Sequence, residues 1–160
     1  MKDTKLLIFI WTYEAPALWE RYNLLDSEQL KKAKKKIKSM KDIKYLISNV
    51  ESDIYTKSEA SFEYYIKLVE LIEKHKYDII PLYIYMSEYS GDYDWFDPDN
   101  ISRFEGVLED YAIQYIKDTV PEEYLKILDP YIDYESLAGD MNNEWYNEIN
   151  ISWEDYCYTL

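Results

Sequence analysis

The chain has few of the residues that build catalytic and redox sites. Its 160 residues include one cysteine, Cys157, one histidine, His75, and three glycines. A single cysteine excludes an internal disulfide framework, and so few glycines leave no glycine-rich phosphate-binding loop. No HExxH or CxxC motif occurs, and His75 lies in the charged segment EKHKYD, which is typical of a solvated helix end. We therefore expect no enzymatic activity and no bound cofactor or metal.

Long apolar segments are also missing. The longest run, Leu6 to Trp11 (LLIFIW), is far shorter than the roughly 20 residues that cross a bilayer. The N-terminal residues lack the basic, apolar and small-residue order of a signal peptide, so we expect a cytoplasmic protein. The composition is nevertheless 48% hydrophobic and 18% aromatic, which is enough for one compact domain or two small lobes despite a net charge of −14.

Positive charge is almost absent from the second half. Residues 1–80 carry 15 Lys plus Arg against 13 Asp plus Glu, whereas residues 81–160 carry 3 against 19. The two halves have net charges of +2 and −16, which give the total of −14. Because such asymmetry usually reflects partners rather than fold, we predict a mixed-charge N-terminal lobe with a lysine-rich helix (1–80) and an acidic, tyrosine-rich lobe (81–160).

The first half predicts two strands and two helices. Leu6 to Trp11 is typical of a buried strand, and Asp78 to Met86 resembles a second strand that Pro81 confines to an edge or a bulge. A basic amphipathic helix is predicted from an N-cap at Asp26 or Ser27, with its apolar stripe at Leu30, Ala33, Ile37, Met40 and Ile47. A second helix is predicted from about Ser58, with one side formed by Phe62, Tyr65, Ile66, Val69 and Ile72.

The acidic half predicts a loop, three helices and a strand. The loop is SGDYDWFDPDN, and the first helix is predicted from about Ile101 with the stripe Phe104, Val107, Leu108, Tyr111, Ala112, Tyr115 and Ile116. Thr119 and Glu122 predict a capping box for a short helix that ends at Asp129-Pro130. A further helix is predicted over Tyr131 to Ala138, closed by Gly139. Alternation in the tail predicts a strand with Trp145, Ile149, Ile151 and Trp153 on one side, and the fold class is α+β.

Two binding alternatives arise from charge clusters. Asp92, Asp94, Asp97 and Asp99 could hold calcium, but an EF-hand loop needs glycine at its sixth position, where Asp97 stands when Asp92 is the first. The lysine run within Lys31 to Lys44 could bind nucleic acid, the acidic half of this chain or a second copy. It is also how an ordinary helix keeps its outer face solvated.

The acidic half carries more charge than solubility requires, since a net charge of roughly 2 to 8 suffices for a small domain. Carboxylates three or four residues apart on a helix lie about 5–6 Å from each other and form a regular anionic array. Duplex DNA carries one charge per ~1.7 Å of axis, so 19 carboxylates on one face would imitate about 32 Å of duplex. A protein that binds DNA phosphates through Lys and Arg would meet a decoy here. Tyrosine rings would keep such helices rigid from one side.

Three motifs carry a resemblance to a known family. YSGDYD (Tyr89 to Asp94), EDYAIQYI (Glu109 to Ile116) and LDPYIDYESLAGDM (Leu128 to Met141) occur in that order. They resemble the central and C-terminal parts of the ArdA-type antirestriction proteins, over about a third of the chain. The matching positions are Tyr89, Gly91, Tyr93, Asp110, Tyr111, Ala112, Tyr131, Asp133, Tyr134, Glu135 and Asp140. Gly139 stands where the family pattern has arginine.

The resemblance implies an elongated, homodimeric inhibitor with small mixed strands and several short acidic amphipathic helices. That family consists of phage- and transposon-borne DNA mimics that block type I restriction-modification enzymes, so the implied partner is a DNA-binding host defence protein and not nucleic acid or membrane. A CRISPR effector also has a positively charged DNA groove and is the alternative target. The carboxylates expected to bind the partner are Asp92, Asp94, Asp97, Asp99, Glu105, Glu109, Asp110, Asp118, Glu122, Glu123, Asp129, Asp133, Glu135 and Asp140.

Overall fold

The chain forms two compact units that divide between Phe96 and Asp97. The computed structural model describes residues 5–12, 19–40, 44–144 and 146–160. The division lies after the acidic loop begins, rather than at the charge boundary between residues 80 and 81. Both units combine helices with a three-stranded antiparallel sheet, which confirms the predicted α+β class. None of the helices in the described ranges is long and apolar enough to span a membrane.

The first unit is built around a central apolar strand. Strand β1 (Leu6–Thr12) lies between β2 (Glu20–Asn23) and β3 (Tyr45–Ser52) and is antiparallel to both. The predicted buried strand is confirmed. Leu6, Leu7, Ile8 and Ile10 are all buried, and because successive side chains point to opposite faces, both faces of β1 are covered at its start.

The lysine-rich helix begins where the sequence predicts and ends earlier. Helix α1 (Ser27–Ser39) starts at the N-cap Asp26, whose carboxylate accepts hydrogen bonds from the backbone N–H groups of Glu28 and Gln29 at 3.0 and 2.9 Å. Ile47, which the sequence predicts to extend the apolar stripe of this helix, instead lies in β3 and pairs with Ile10 of β1. The helical spacing of Ile47 is coincidental, because the chain leaves the helix at Met40.

The next two helices of this unit differ in how well the sequence predicts them. Helix α2 (Phe62–Lys74) begins at the N-cap Ser61 and is confirmed within a turn. Helix α3 (Ile80–Glu88) overturns the predicted strand over Asp78 to Met86. It is buried all round, so its sequence has no amphipathic period, and Pro81 lies in its first turn, where its missing N–H costs nothing.

The sheet of the second unit has its last strand in the middle. Strand β6 (Glu154–Thr159) lies between β4 (Ser102–Glu105) and β5 (Asn147–Ile151), antiparallel to both. The predicted single tail strand is therefore a hairpin, and Trp153 lies in its exposed turn instead of on an apolar face. Trp145 of the same prediction lies outside the described residues.

Three helices complete the second unit: α4 (Leu108–Thr119), α5 (Glu122–Leu128) and α6 (Tyr134–Glu144). Helix α4 starts later than predicted, since Phe104 belongs to β4. The predicted capping box is wrong, because the Thr119 hydroxyl donates to the carbonyl oxygen of Tyr115 in α4. Helix α5 ends before Asp129-Pro130 as predicted. Helix α6 runs through Gly139, which was expected to close it, because a helical glycine is tolerated.

The core between α4, α6 and the sheet is small and largely aromatic at its margin. Leu108, Ala112, Met141 and Cys157 are buried together there. The half-buried side chains that pack against them are Phe104, Tyr111, Tyr134, Leu137, Ala138 and Tyr146. Tyrosine rings thus supply much of the apolar contact, as the sequence predicted, while their hydroxyl groups remain able to bond polar neighbours.

Candidate functional site

Nearly all of the net charge of the protein belongs to the second unit. Residues 97–160 contain 16 Asp plus Glu and 3 Lys plus Arg, a net charge of −13. The remaining −1 of the total falls on residues 1–96, where 15 basic residues nearly balance 16 acidic ones. The division into units therefore separates the charges less sharply than the division into sequence halves, but it still assigns a net charge of −13 out of −14 to one unit. The negative charge on the surface of the second unit is therefore the feature that needs an explanation.

The structure distributes the predicted partner-binding carboxylates over both units. Asp92 and Asp94 belong to the first unit, in the segment that follows α3. The other predicted carboxylates lie in the second unit: Asp97, Asp99, Glu105, Glu109, Asp110, Asp118, Glu122, Glu123, Asp129, Asp133, Glu135 and Asp140. All of them are exposed except Asp92, which is half-buried.

Asp92 has a structural contact that sets it apart from the other predicted residues. Its carboxylate accepts a hydrogen bond from the Asp94 backbone N–H at 3.0 Å and lies 3.4 Å from the Lys57 ammonium. These contacts, the backbone hydrogen bond first, hold the pKa of Asp92 below its usual range. Part of its charge is therefore matched within the first unit, which makes Asp92 a weaker candidate for the partner-binding surface.

The helices of the second unit place carboxylates where the helix itself stabilises them. Glu109 and Asp110 lie in the first turn of α4, Glu122 and Glu123 in that of α5, and Glu135 in that of α6. The N-terminus of a helix carries a partial positive charge and unpaired N–H groups, which favour nearby anions. This local stabilisation offsets part of the repulsion between like charges at each helix end.

Several carboxylates are held in place by neutral donors. The side-chain amide of Gln114 donates to Asp118 at 2.7 Å, and the Tyr134 hydroxyl donates to Asp129 at 2.6 Å. Ser136 donates to Asp133 through its backbone N–H at 3.0 Å and its hydroxyl at 2.9 Å. A neutral donor orients a carboxylate without cancelling its charge.

The electrostatic consequences follow from these bonds. The hydrogen bonds from Ser136 keep the pKa of Asp133 below its usual range, so it is ionised at neutral pH. Glu122 differs, since the Lys126 ammonium lies 2.8 Å from it and pairs with its charge on the same helix.

Two tyrosines of the second unit, Tyr111 and Tyr156, stay protonated at neutral pH. The Tyr111 and Tyr146 hydroxyl oxygens lie 3.2 Å apart, and this contact, followed by burial, raises the pKa of Tyr111 to about 12. Burial and a 2.7 Å hydrogen bond to Glu154 raise the pKa of Tyr156 to about 12. A protonated hydroxyl can donate to a carboxylate, so these side chains support the anionic surface without adding charge to it.

The sequence-based hypothesis missed an apolar feature within the acidic unit. Tyr124, Ile127 and Leu128 on α5, and Tyr131 just after it, are exposed, and α5 buries none of its residues. Their helical spacing is visible in the sequence. Because such a stripe normally marks a core-facing side, the spacing alone gives no reason to place these residues at the surface.

The alternative sites receive little support from the described residues. Within those ranges, no group of three or more His, Cys, Asp or Glu side chains is arranged to hold a metal ion. The lysines of α1 lie mainly on its exposed face, and residues 41–43 of the predicted Lys31 to Lys44 segment are outside the described ranges. Lys36 contacts Glu20 and lowers the pKa of that carboxyl, and Lys31 lies 3.0 Å from Glu28. The face is thus partly paired within its own unit.

Two of the three motifs that carry the family resemblance contain structurally constrained residues. Gly91 has a φ of 82°, and the Tyr93 ring stacks on Tyr64 with centroids 4.9 Å apart. Ala112 is fully buried in α4. None of the protein-family models matches the chain, and no match was found among curated proteins or among solved structures. The resemblance to ArdA-type proteins therefore stays a prediction from these motifs.

Proposed function

We propose that the protein is a DNA mimic that occupies the DNA-binding channel of a type I restriction-modification enzyme and so excludes DNA. The observation that carries this proposal is the net charge of −13 on residues 97–160, together with the exposure of every predicted carboxylate in that range. A channel that binds phosphates through Lys and Arg attracts such a unit for the same reason that it attracts DNA.

The negative charge of the second unit is comparable to that of the length of duplex DNA that a DNA-binding channel binds. Duplex DNA carries one negative charge per ~1.7 Å of axis, so 16 carboxylates equal the charge of about 27 Å of duplex. A dense anionic unit also raises the rate of encounter with a basic channel, an effect that salt weakens. Inhibition should therefore be both tight at low salt and strongly salt-dependent.

The fixed orientation of the carboxylates supports binding beyond simple attraction. Asp118, Asp129 and Asp133 already bond to neutral donors in the free protein, so less side-chain freedom is lost when a partner binds them. Ordered carboxylates keep their charge and their spacing, as DNA phosphates do. A flexible acidic tail of equal charge would have to be ordered by its partner.

The test is a titration of the protein against a type I restriction-modification complex and its DNA, at two salt concentrations. We expect competitive inhibition near stoichiometry, weaker at the higher salt. A folded protein that leaves the complex fully able to bind DNA would exclude this target, and the same titration with a CRISPR effector would then test the alternative target of the decoy.

A pair of triple variants tests whether the surface matters or only the total charge. The acidic-unit variant neutralises one helix through Glu109→Gln, Asp110→Asn and Asp118→Asn, and a single Asp118→Asn variant accompanies it. The matched control removes three exposed charges from the first unit through Glu59→Gln, Glu63→Gln and Glu70→Gln.

We expect the acidic-unit triple variant to lose most of its inhibition, because counterion release is collective. The single variant and the control triple variant should stay close to wild type. Equal losses in the two triple variants would point to net charge alone, and complete loss from the single variant would argue for one essential contact instead of a mimicked surface.

A further inference from the structure

Helix α5 and the single turn of 3-10 helix that follows it (Asp129–Tyr131) leave large apolar side chains in water. Tyr124 is 55% exposed, Ile127 66%, Leu128 46% and Tyr131 85%. They recur at the spacing i, i+3, i+4 and i+7, which places them on one side of a continuous helical path. We call these four residues the α5 face. In the same unit, α4 buries Leu108 and Ala112 in the core, so α5 is unusual in burying nothing.

No described element of its own unit covers the α5 face in a way that explains its apolar character. Helix α5 contacts only the 3-10 turn that follows it to an appreciable extent, and Tyr131 of that turn belongs to the face itself, whereas α4 and α6 pack extensively on each other. A seven-residue helix is marginal in water unless an apolar side packs against something. Polar residues on this side would cost the fold little and would avoid exposing apolar area.

Carboxylates flank the α5 face along the chain. Glu122 and Glu123 begin α5, Asp129 follows its last residue, and Asp118 lies in the last turn of the preceding helix α4. An apolar centre within polar surroundings is the usual anatomy of a protein-binding surface, in which the centre supplies most of the affinity. The net charge of the unit also restricts the occupant. A second copy would bring two units of net charge −13 together, whereas a basic surface would be attracted.

We propose that the α5 face docks against apolar side chains within the basic DNA-binding channel of the target enzyme. This inference rests on the proposed function and adds a second kind of contact to it. Proteins that read DNA pack apolar side chains against thymine methyl groups, besides binding phosphates through Lys and Arg. The α5 face offers an apolar contact to those side chains, and the carboxylates of the same unit take the place of phosphates.

The two kinds of contact respond differently to salt. Binding through carboxylates weakens as salt rises, whereas apolar burial depends little on moderate salt. A variant that removes only apolar area should therefore lower affinity by the same factor at every salt concentration. A variant that removes charge should make the affinity depend less steeply on salt concentration.

The experiment uses the full chain with Ile127→Ser and Tyr131→Ser together, which leaves the net charge unchanged. We expect about tenfold weaker inhibition of DNA binding by the restriction complex at both salt concentrations, as expected when central anchors are truncated. The slope of inhibition against salt should match that of wild type. The control is Tyr77→Ser, which removes a tyrosine that is 94% exposed in the first unit and should change nothing.

Each other outcome overturns the inference in an identifiable way. Wild-type inhibition by the double variant would show that the α5 face makes no contact with the enzyme. Conversion of a wild-type dimer to a monomer, seen by light scattering, would identify a second copy as the occupant. A large fall in the unfolding temperature would mean that the chain itself covers the face. Absence of inhibition by the wild-type protein would overturn the proposed function and this inference together.

Discussion

Replacing Gly91 by alanine tests the close approach that fixes the segment after α3. Gly91 has a φ of +82°, and its N–H donates to the carbonyl oxygen of Met86 at 2.7 Å, which closes the end of the helix. A Cβ atom at this position would lie 2.6 Å from the backbone nitrogen of Lys57 and 2.8 Å from the carbonyl carbon of Thr56. Neither backbone atom can move aside as the end of a flexible side chain could.

The expected loss of stability follows from these two conflicts. The left-handed backbone costs an L-residue about 1–2 kcal/mol, and overpacking adds about 1–3 kcal/mol. Alanine also restricts the unfolded chain, which returns about 0.4–1 kcal/mol. We therefore expect Gly91→Ala to lower the free energy of unfolding of the first unit by roughly 3 kcal/mol.

Urea unfolding followed by circular dichroism would measure this loss. Hydrogen exchange read by mass spectrometry would assign it to peptides of the first unit, since a two-unit chain need not unfold in one step. Gly139→Ala in α6 is the matched control. Apart from its chain neighbours and the backbone of its own helix, no heavy atom lies within 4 Å of its added Cβ, so we expect a gain of about 1 kcal/mol in the second unit. An unchanged midpoint for Gly91→Ala would refute the close approach.

Three further outcomes are expected. Glu148→Ala should destabilise the second unit by about 1 kcal/mol in urea unfolding, because its carboxylate accepts from the Leu108 N–H at 2.6 Å and caps α4; a neutral result would mean that water replaces this cap. Burial raises the pKa of Cys157 from 9.0 to about 11, so its contribution to stability is complete below pH 9 and is lost as pH rises through 11. Unfolding midpoints across this range test that loss, and rapid thiol labelling of the native protein would contradict the burial. Trp153→Gly should add roughly 0.5–1 kcal/mol to the free energy of unfolding and so raise the unfolding temperature, because Trp153 has a φ of 75° in a two-residue hairpin turn. A lower unfolding temperature would indicate that the Trp153 side chain makes a stabilising contact.

The elements that sequence predicts well are those with local signals. Asp26 provides the side-chain oxygen that a helix start needs, and α5 ends before Pro130 because proline has no N–H to continue the helical hydrogen bonds. Strand β1 has an apolar run bounded by polar residues, which suits a central strand of a covered sheet. These features depend on only a few neighbouring residues.

The elements that sequence predicts badly depend on distant parts of the chain. Helix α3 was predicted as a strand because it is buried on every side and has no amphipathic period. Ile47 fits the stripe of α1 by spacing, but its pairing with Ile10 is decided by the sheet. A pattern of apolar residues indicates that burial is needed without indicating which element provides it.

The candidate site divides in the same way. Exposure of the carboxylates of the second unit follows from their charge, because an ionised side chain is rarely buried without a partner. The bonds that orient Asp118 and Asp133 are local, three or four residues away, and are also accessible to sequence reasoning. The exposure of Ile127 and Tyr131 cannot be predicted from the sequence, because it depends on which other elements pack against α5.

The position of β6 at the centre of its sheet determines when the second unit can form during synthesis. Strand β4 (Ser102–Glu105) has β6 as its sheet neighbour, and α4, α5 and α6 lie between the two strands in sequence. While those helices emerge from the ribosome, β6 has not yet been synthesised. Strand β4 therefore lacks its pairing partner, and the core lacks the buried side chain of Cys157. Closing such a long loop is slow compared with forming a helix. The acidic surface is therefore assembled late, only after translation has passed Thr159 and β6 can insert between β4 and β5.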